Sequence, residues 1–133
     1  MNAARPLAGQ VEVLPPPGEF STAARFTVDA AETVLPGHYP GFPIFPGVCL
    51  VECTHQGALA TAPVEAKDAA LAAVESTRFT GPVFPGDLVD IAMTWKQTSA
   101  GDWQCRARLS TGRGPAATVR LRYTRRPAGE AAA

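Results

Sequence analysis

Residues 48 to 62 read VCLVECTHQGALATA, with Val48, Val51, Leu59 and Ala62 at helical separations and no proline before Pro63. This spacing predicts a helix over about 47 to 62, with Pro46 and Gly47 suited to its start and Pro63 to its end. Its few polar residues, Glu52, Thr54, His55, Gln56 and Thr61, suggest a largely buried element. Elsewhere the pattern is that of strands. Gln10 to Leu14 and Arg25 to Asp29 alternate briefly; Ala70 to Thr80, Leu88 to Lys96, Trp103 to Ser110 and Ala116 to Thr124 form longer candidates. In the last of these, AATVRLRYT places Val119, Leu121 and Tyr123 on one face and Arg120 and Arg122 on the other, as in a half-solvated antiparallel strand. Gly101-Asp102 and Gly112-Arg113-Gly114 supply turns between the last three strands. One helix and six strands predict an α+β domain in which a curved antiparallel sheet wraps around one long central helix. Sheet edges left open in such a fold commonly pair between subunits, so a dimer is expected.

Between the first strands and the helix lies PGHYPGFPIFPG, Pro36 to Gly47, whose four prolines in twelve residues exclude regular helix or strand and predict a loop of fixed shape. At 133 residues, 46% hydrophobic and 18% charged, the chain has ample apolar content for one domain spanning 1–133, with flexible ends at 1–9 and 127–133. Twelve basic and twelve acidic residues give zero formal charge, which disfavours nucleic acid as a partner. No apolar run reaches the ~18 residues of a membrane span, and no secretory segment follows Arg5, so a cytoplasmic protein is expected. Cys49, Cys53 and Cys105 fit neither a disulfide framework nor a zinc set; no metal is expected.

Candidate chemistry concentrates on either side of Gly47. His38, in the middle of the stiff loop, is either a turn residue or a base near neutral pH. Glu52 is the only carboxylate between Glu32 and Glu65, and its neighbours Val48, Cys49, Leu50, Val51 and Cys53 are apolar. Burial there would favour the protonated form that suits a general acid, the alternative being a glutamate on a solvent-facing stripe. Gln56, one helical turn further on, is placed to hold the Glu52 carboxyl group, whereas His55 reads as a partly exposed or structurally bonded histidine.

GHYPGFPIFPGVCLVE, Gly37 to Glu52, resembles the signature of the FabZ and FabA type 3-hydroxyacyl-acyl-carrier-protein dehydratases, G-H-F-P-G-x-P-x-x-P-G-x-x-x-x-E/D, with Gln after three further residues. FTGPVFPGD, Phe79 to Asp87, resembles the later F-x-x-P-V-x-P-G-D block of the same proteins. Glutamate at 52 leans toward the FabZ type. The opening VEVLPPPGEF and the residues between Glu52 and Gln56 depart from that type, as expected of a dehydratase serving a polyketide or other specialised acyl chain.

The resemblance implies a hotdog fold and dehydration of a (3R)-3-hydroxyacyl thioester to the trans-2-enoyl thioester. His38 would take the C2 proton and Glu52, from the other protomer of a homodimer or of a higher oligomer of dimers, would protonate the departing C3 hydroxyl. Gln56 would orient Glu52, and the Gly47 amide at the helix start would polarise the thioester carbonyl. Tyr39, Phe42, Phe45 and Phe84 are candidates for the acyl tunnel, Phe84 for its gate; ordinary core packing is the alternative. No cofactor is implied beyond the phosphopantetheine arm of an acyl carrier protein. An acidic carrier would dock on Arg78, Arg120, Arg122, Arg125 and Arg126, unless these form only a solvated face. Other functions compatible with the residues are a hotdog acyl thioesterase, a non-catalytic partner of a hetero-oligomeric dehydratase, and an enoyl-CoA hydratase running the reverse reaction.

Overall fold

Strands that alternate in sequence alternate in burial. The computed structural model describes residues 11–28, 47–84 and 86–125, the side chain of Arg125 excepted. In β4, Leu88–Gln97, every second side chain from Val89 to Trp95 is buried, and β5, Trp103–Thr111, and β6, Gly114–Arg125, repeat the pattern with Leu109, Val119, Leu121 and Tyr123 inward. Before them come β1, Val11–Gly18, and β2, Ser21–Thr27, joined by a tight turn at Glu19 and Phe20, and then β3, Ala69–Phe79. All six strands form one antiparallel sheet in the order β1-β2-β4-β5-β6-β3. The expected strands are all present. The second starts four residues earlier than its alternation suggests, because its inward positions at that end, Thr22 and Ala24, are too small or polar to register as apolar.

The two edges differ. β1 carries Pro15, Pro16 and Pro17, which lack the backbone donor that a further strand needs, and its pairing with β2 is irregular between Leu14 and Gly18. β3 is an eleven-residue edge strand, exposed along most of its length, with Leu71, Val74 and Phe79 among the uncovered apolar side chains.

The helix α1, Gly47–Thr61, lies across the inner face and packs against β1, β2, β4 and β6. It ends at Thr61, whose hydroxyl bonds the Gly57 carbonyl (2.8 Å) and lies 2.9 Å from Thr22 Oγ1, itself the acceptor for Trp95 Nε1 (2.9 Å). Cys49, Leu50, Cys53, Gly57 and Ala58 face the sheet, among Phe26, Ile91 and Met93. The opposite stripe is open: Val48 is 70% and Leu59 54% exposed, with Glu52 and Gln56 half-buried between them. The helix is therefore one-sided rather than largely buried. Among the described residues one sheet covers one face of the helix, and the apolar Val48 and Leu59 lie exposed on the other.

Candidate active site

Two pinned points frame the chain on either side of residues 29–46. Before them, the Val28 N–H donates to the Asp87 carbonyl (2.9 Å) and the Gly86 N–H to the Val28 carbonyl (2.7 Å). After them, Gly47 opens α1 with the Phe79 ring against it; a Cβ at Gly47 would lie 2.9 Å from Phe79 Cζ. The Phe79–Asp87 block thus holds the chain both where it departs toward His38 and where it returns. The described residues of that block are themselves tied down. The Thr80 and Gly81 N–H groups both donate to the Ala116 carbonyl (2.8 and 3.1 Å), and a Cβ on Gly81 would sit 2.7 Å from the Pro115 oxygen, so only glycine fits. The Asp87 carboxylate accepts the Phe84 N–H (2.8 Å) and pairs with Arg113, whose guanidinium lies 4.8 Å from the Phe84 ring centre.

On α1, Gln56 Nε2 donates to Glu52 Oε2 at 2.6 Å, a bond that occupies one carboxyl oxygen and fixes the side-chain direction. The carboxyl group is half-buried rather than enclosed, because Cys49, Leu50 and Cys53 turn to the sheet while Val48 shares the open stripe. His55 points elsewhere: its Nδ1 is 2.8 Å from the Tyr123 hydroxyl, and the two rings stack at 5.8 Å. Burial lowers the His55 pKa against the opposing pull of Glu52, and burial raises that of Tyr123, helped by Cys105 and Glu52, so both stay uncharged near neutrality. Of the two expectations for His55, partly exposed or structurally bonded, the bonded one is found, with a partner 68 residues away.

The arginines share the outer face of the sheet. Arg120 and Arg122 approach Glu75 at 3.4 and 3.2 Å, and Arg122 also bonds Asp102 at 3.0 Å, so part of their charge is balanced locally. Arg78 is exposed two rows from Arg122. The strand register adds two residues that sequence reasoning passed over: Arg106 lies directly opposite Arg120, and Arg108 and Arg78 flank Thr118 from either side. Their signal was present in QCRARL, where the outward positions between Cys105, Ala107 and Leu109 are both arginine. Arg106, Arg108, Thr118, Arg120 and Ser76 line a shallow depression of about 240 Å³.

Of the other residues singled out, His38, Tyr39, Phe42, Phe45, Arg126 and the Arg125 side chain lie outside the described residues. Among the described residues, no helix is long and apolar enough to cross a membrane, and no cluster of His, Cys, Asp and Glu could hold a metal ion.

The ApeI-like dehydratase family matches residues 17–119. The chain belongs to that family. It is also 32% identical over 110 residues to the 3-hydroxyacyl-acyl-carrier-protein dehydratase FabZ of Verminephrobacter eiseniae, covering 77% of this chain and 73% of that one. Among solved structures, the dehydratase heterocomplex ApeI:P of Xenorhabdus doucetiae superimposes with a TM-score of 0.65 at 20% identity, over 84% of this chain and 93% of that one. The PaaI protein of the Escherichia coli phenylacetic acid degradation operon gives 0.68 at 18% identity, over 86% and 82%. The fold is the hotdog: an antiparallel sheet around the helix α1.

Proposed function

We propose that this ApeI-like dehydratase removes water from a (3R)-3-hydroxyacyl thioester carried on the phosphopantetheine arm of an acyl carrier protein, in cytoplasmic fatty-acid or polyketide synthesis. His38 accepts the C2 proton, the resulting charge on the thioester oxygen is met by the Gly47 amide, and the C3–O bond breaks as Glu52 delivers its proton to the leaving hydroxyl. The C2–C3 double bond and one water result, and a proton passing from His38 back to Glu52 resets the site. The observation that carries this reading is the Gln56–Glu52 bond, which presents an oriented carboxyl group on the open stripe of α1 rather than in the core. An acid so placed serves a site shared with a second chain, and a homodimer supplies it, each Glu52 working with the His38 of the other protomer. Phe84, together with Tyr39, Phe42 and Phe45, lines the acyl tunnel. The carrier docks on Arg78, Arg120, Arg122, Arg125 and Arg126, joined by Arg106 and Arg108.

Intact-mass spectrometry of a 3-hydroxyacyl carrier protein tests the reading. Wild type should remove 18 Da, about one water, and His38→Ala and Glu52→Ala should each slow this by roughly 100-fold or more. Loss of the whole acyl group from the carrier would instead make the chain a thioesterase. No change at any chain length would leave it as a partner subunit, to be sought with the catalytic chain in a hetero-oligomer.

A further inference from the structure

Phe79 ends the exposed edge strand and is 49% exposed, yet the tip of its ring meets Gly47: a Cβ at 47 would stand 2.9, 3.0 and 3.1 Å from three of its carbons. A large apolar side chain in that position has little burial to explain it. Its backbone leaves it little choice of place. Phe79 is in register with Ala117 of β6, and the next two N–H groups are fastened to the Ala116 carbonyl at 2.8 and 3.1 Å. The ring is thus carried on one side by the sheet and rests on the other against the first residue of α1.

Cα–Cβ bonds of a helix tilt toward its N-terminus, so a ring 2.9–3.1 Å from where a Gly47 Cβ would stand lies on the side toward which the first amide points. A carbonyl oxygen approaching the Gly47 N–H would run along that ring. We infer that Phe79 is a positioning residue, an apolar wall that fixes the thioester group beside the Gly47 amide and keeps water from the same amide. This rests on the dehydratase reading, and it gives Gly47 a second reason to be glycine: any Cβ there would displace the wall.

The test compares wild type with Phe79→Ala and Phe79→Leu, after thermal melts have shown both variants folded. Two readouts are taken: steady-state dehydration of a 3-hydroxyacyl carrier protein, and the Kd of crotonyl-pantetheine, a product thioester whose binding needs no turnover. Phe79→Ala should lower kcat about 10- to 100-fold with KM for the carrier substrate nearly unchanged, and weaken crotonyl-pantetheine severalfold; Phe79→Leu should recover most of both. An alanine variant equal to wild type in kcat and thioester affinity overturns the inference. A wild type that does not dehydrate, but binds crotonyl-pantetheine more tightly than the alanine variant, would refute the dehydratase reading and leave the wall standing. A wild type that neither turns over nor binds the thioester overturns both.

Discussion

Gly57 sits in the interior of α1, buried against the sheet, and its replacement by alanine should stabilise the protein. A glycine inside a helix costs about 1 kcal/mol relative to alanine, mostly through the freedom it has in the unfolded chain. An added Cβ would lie 3.4 Å from Ala24 Cβ, 3.5 Å from Met93 Cε and 3.7 Å from Ile91 Cδ1, ordinary contact distances, all to side chains. The methyl group is therefore accommodated without moving backbone and adds a few tenths of a kcal/mol by burial, for a net gain of roughly 1 kcal/mol. Valine at the same place would bring two further carbons into a space that holds one, and should destabilise by about 1–3 kcal/mol. Urea unfolding at fixed protein concentration reads both: the midpoint should rise for Gly57→Ala by roughly 0.5 M with unchanged slope, and fall for Gly57→Val. A lower midpoint for alanine would mean that the seat of the helix on β2 and β4 has no room, and that the distance between helix and sheet is set by this glycine.

Four other outcomes are expected. Tyr123→Phe keeps the stacked ring but removes the hydroxyl 2.8 Å from His55 Nδ1, and should cost about 1–2 kcal/mol in the same urea assay. His55 has its pKa lowered by burial, so the unfolded chain binds its proton more readily; stability should fall as pH drops below about 6.5, and the loss between pH 7.5 and 5.5 should be smaller in His55→Gln. Gln56→Ala, which frees Glu52, should lower kcat of the proposed dehydration roughly 10-fold with little change in KM, whereas an equal rise in KM with kcat unchanged would remove the orienting role. Burial pushes the Cys105 thiol up to about 12, and Cys49 and Cys53 are also buried, so none of the three should react with a thiol reagent at pH 8 until urea unfolds the chain.

The parts of the fold most easily read from sequence are those where one residue type serves both local and global structure. AATVRLRYT is a half-solvated strand by its alternation alone, and Gly47 and Pro63 bracket a helix that spans Gly47–Thr61. The start of β2 was hidden because Thr22 and Ala24 are buried without being large, and β1 runs longer than its pattern because prolines at an edge interrupt no ladder beyond it. The open stripe of the helix is illegible in the sequence for another reason: Val48 and Leu59 look like core residues whether their partner is the chain's own sheet or a different surface. The Glu52–Gln56 pair follows from a four-residue spacing, but Tyr123 as partner of His55, Phe79 as neighbour of Gly47, and Arg106 facing Arg120 depend on strand register and helix placement, which no local window contains.

The unlike edges of the sheet bear on how many copies can join. A sheet with two open edges is a monomer for polymerisation, since each added chain offers a fresh template to the next. Among the described residues β3 is the long edge, its ladder to β6 broken by irregularities at Leu71/Ala73 and Val74/Ser76, while Pro15, Pro16 and Pro17 remove three donors from the other edge, β1. Two chains that met through β3 would leave the proline-bearing β1 at both outer edges, where a third chain would find a poorer template. The three prolines of the first strand would thus bias such an association toward a pair and away from an open-ended fibre.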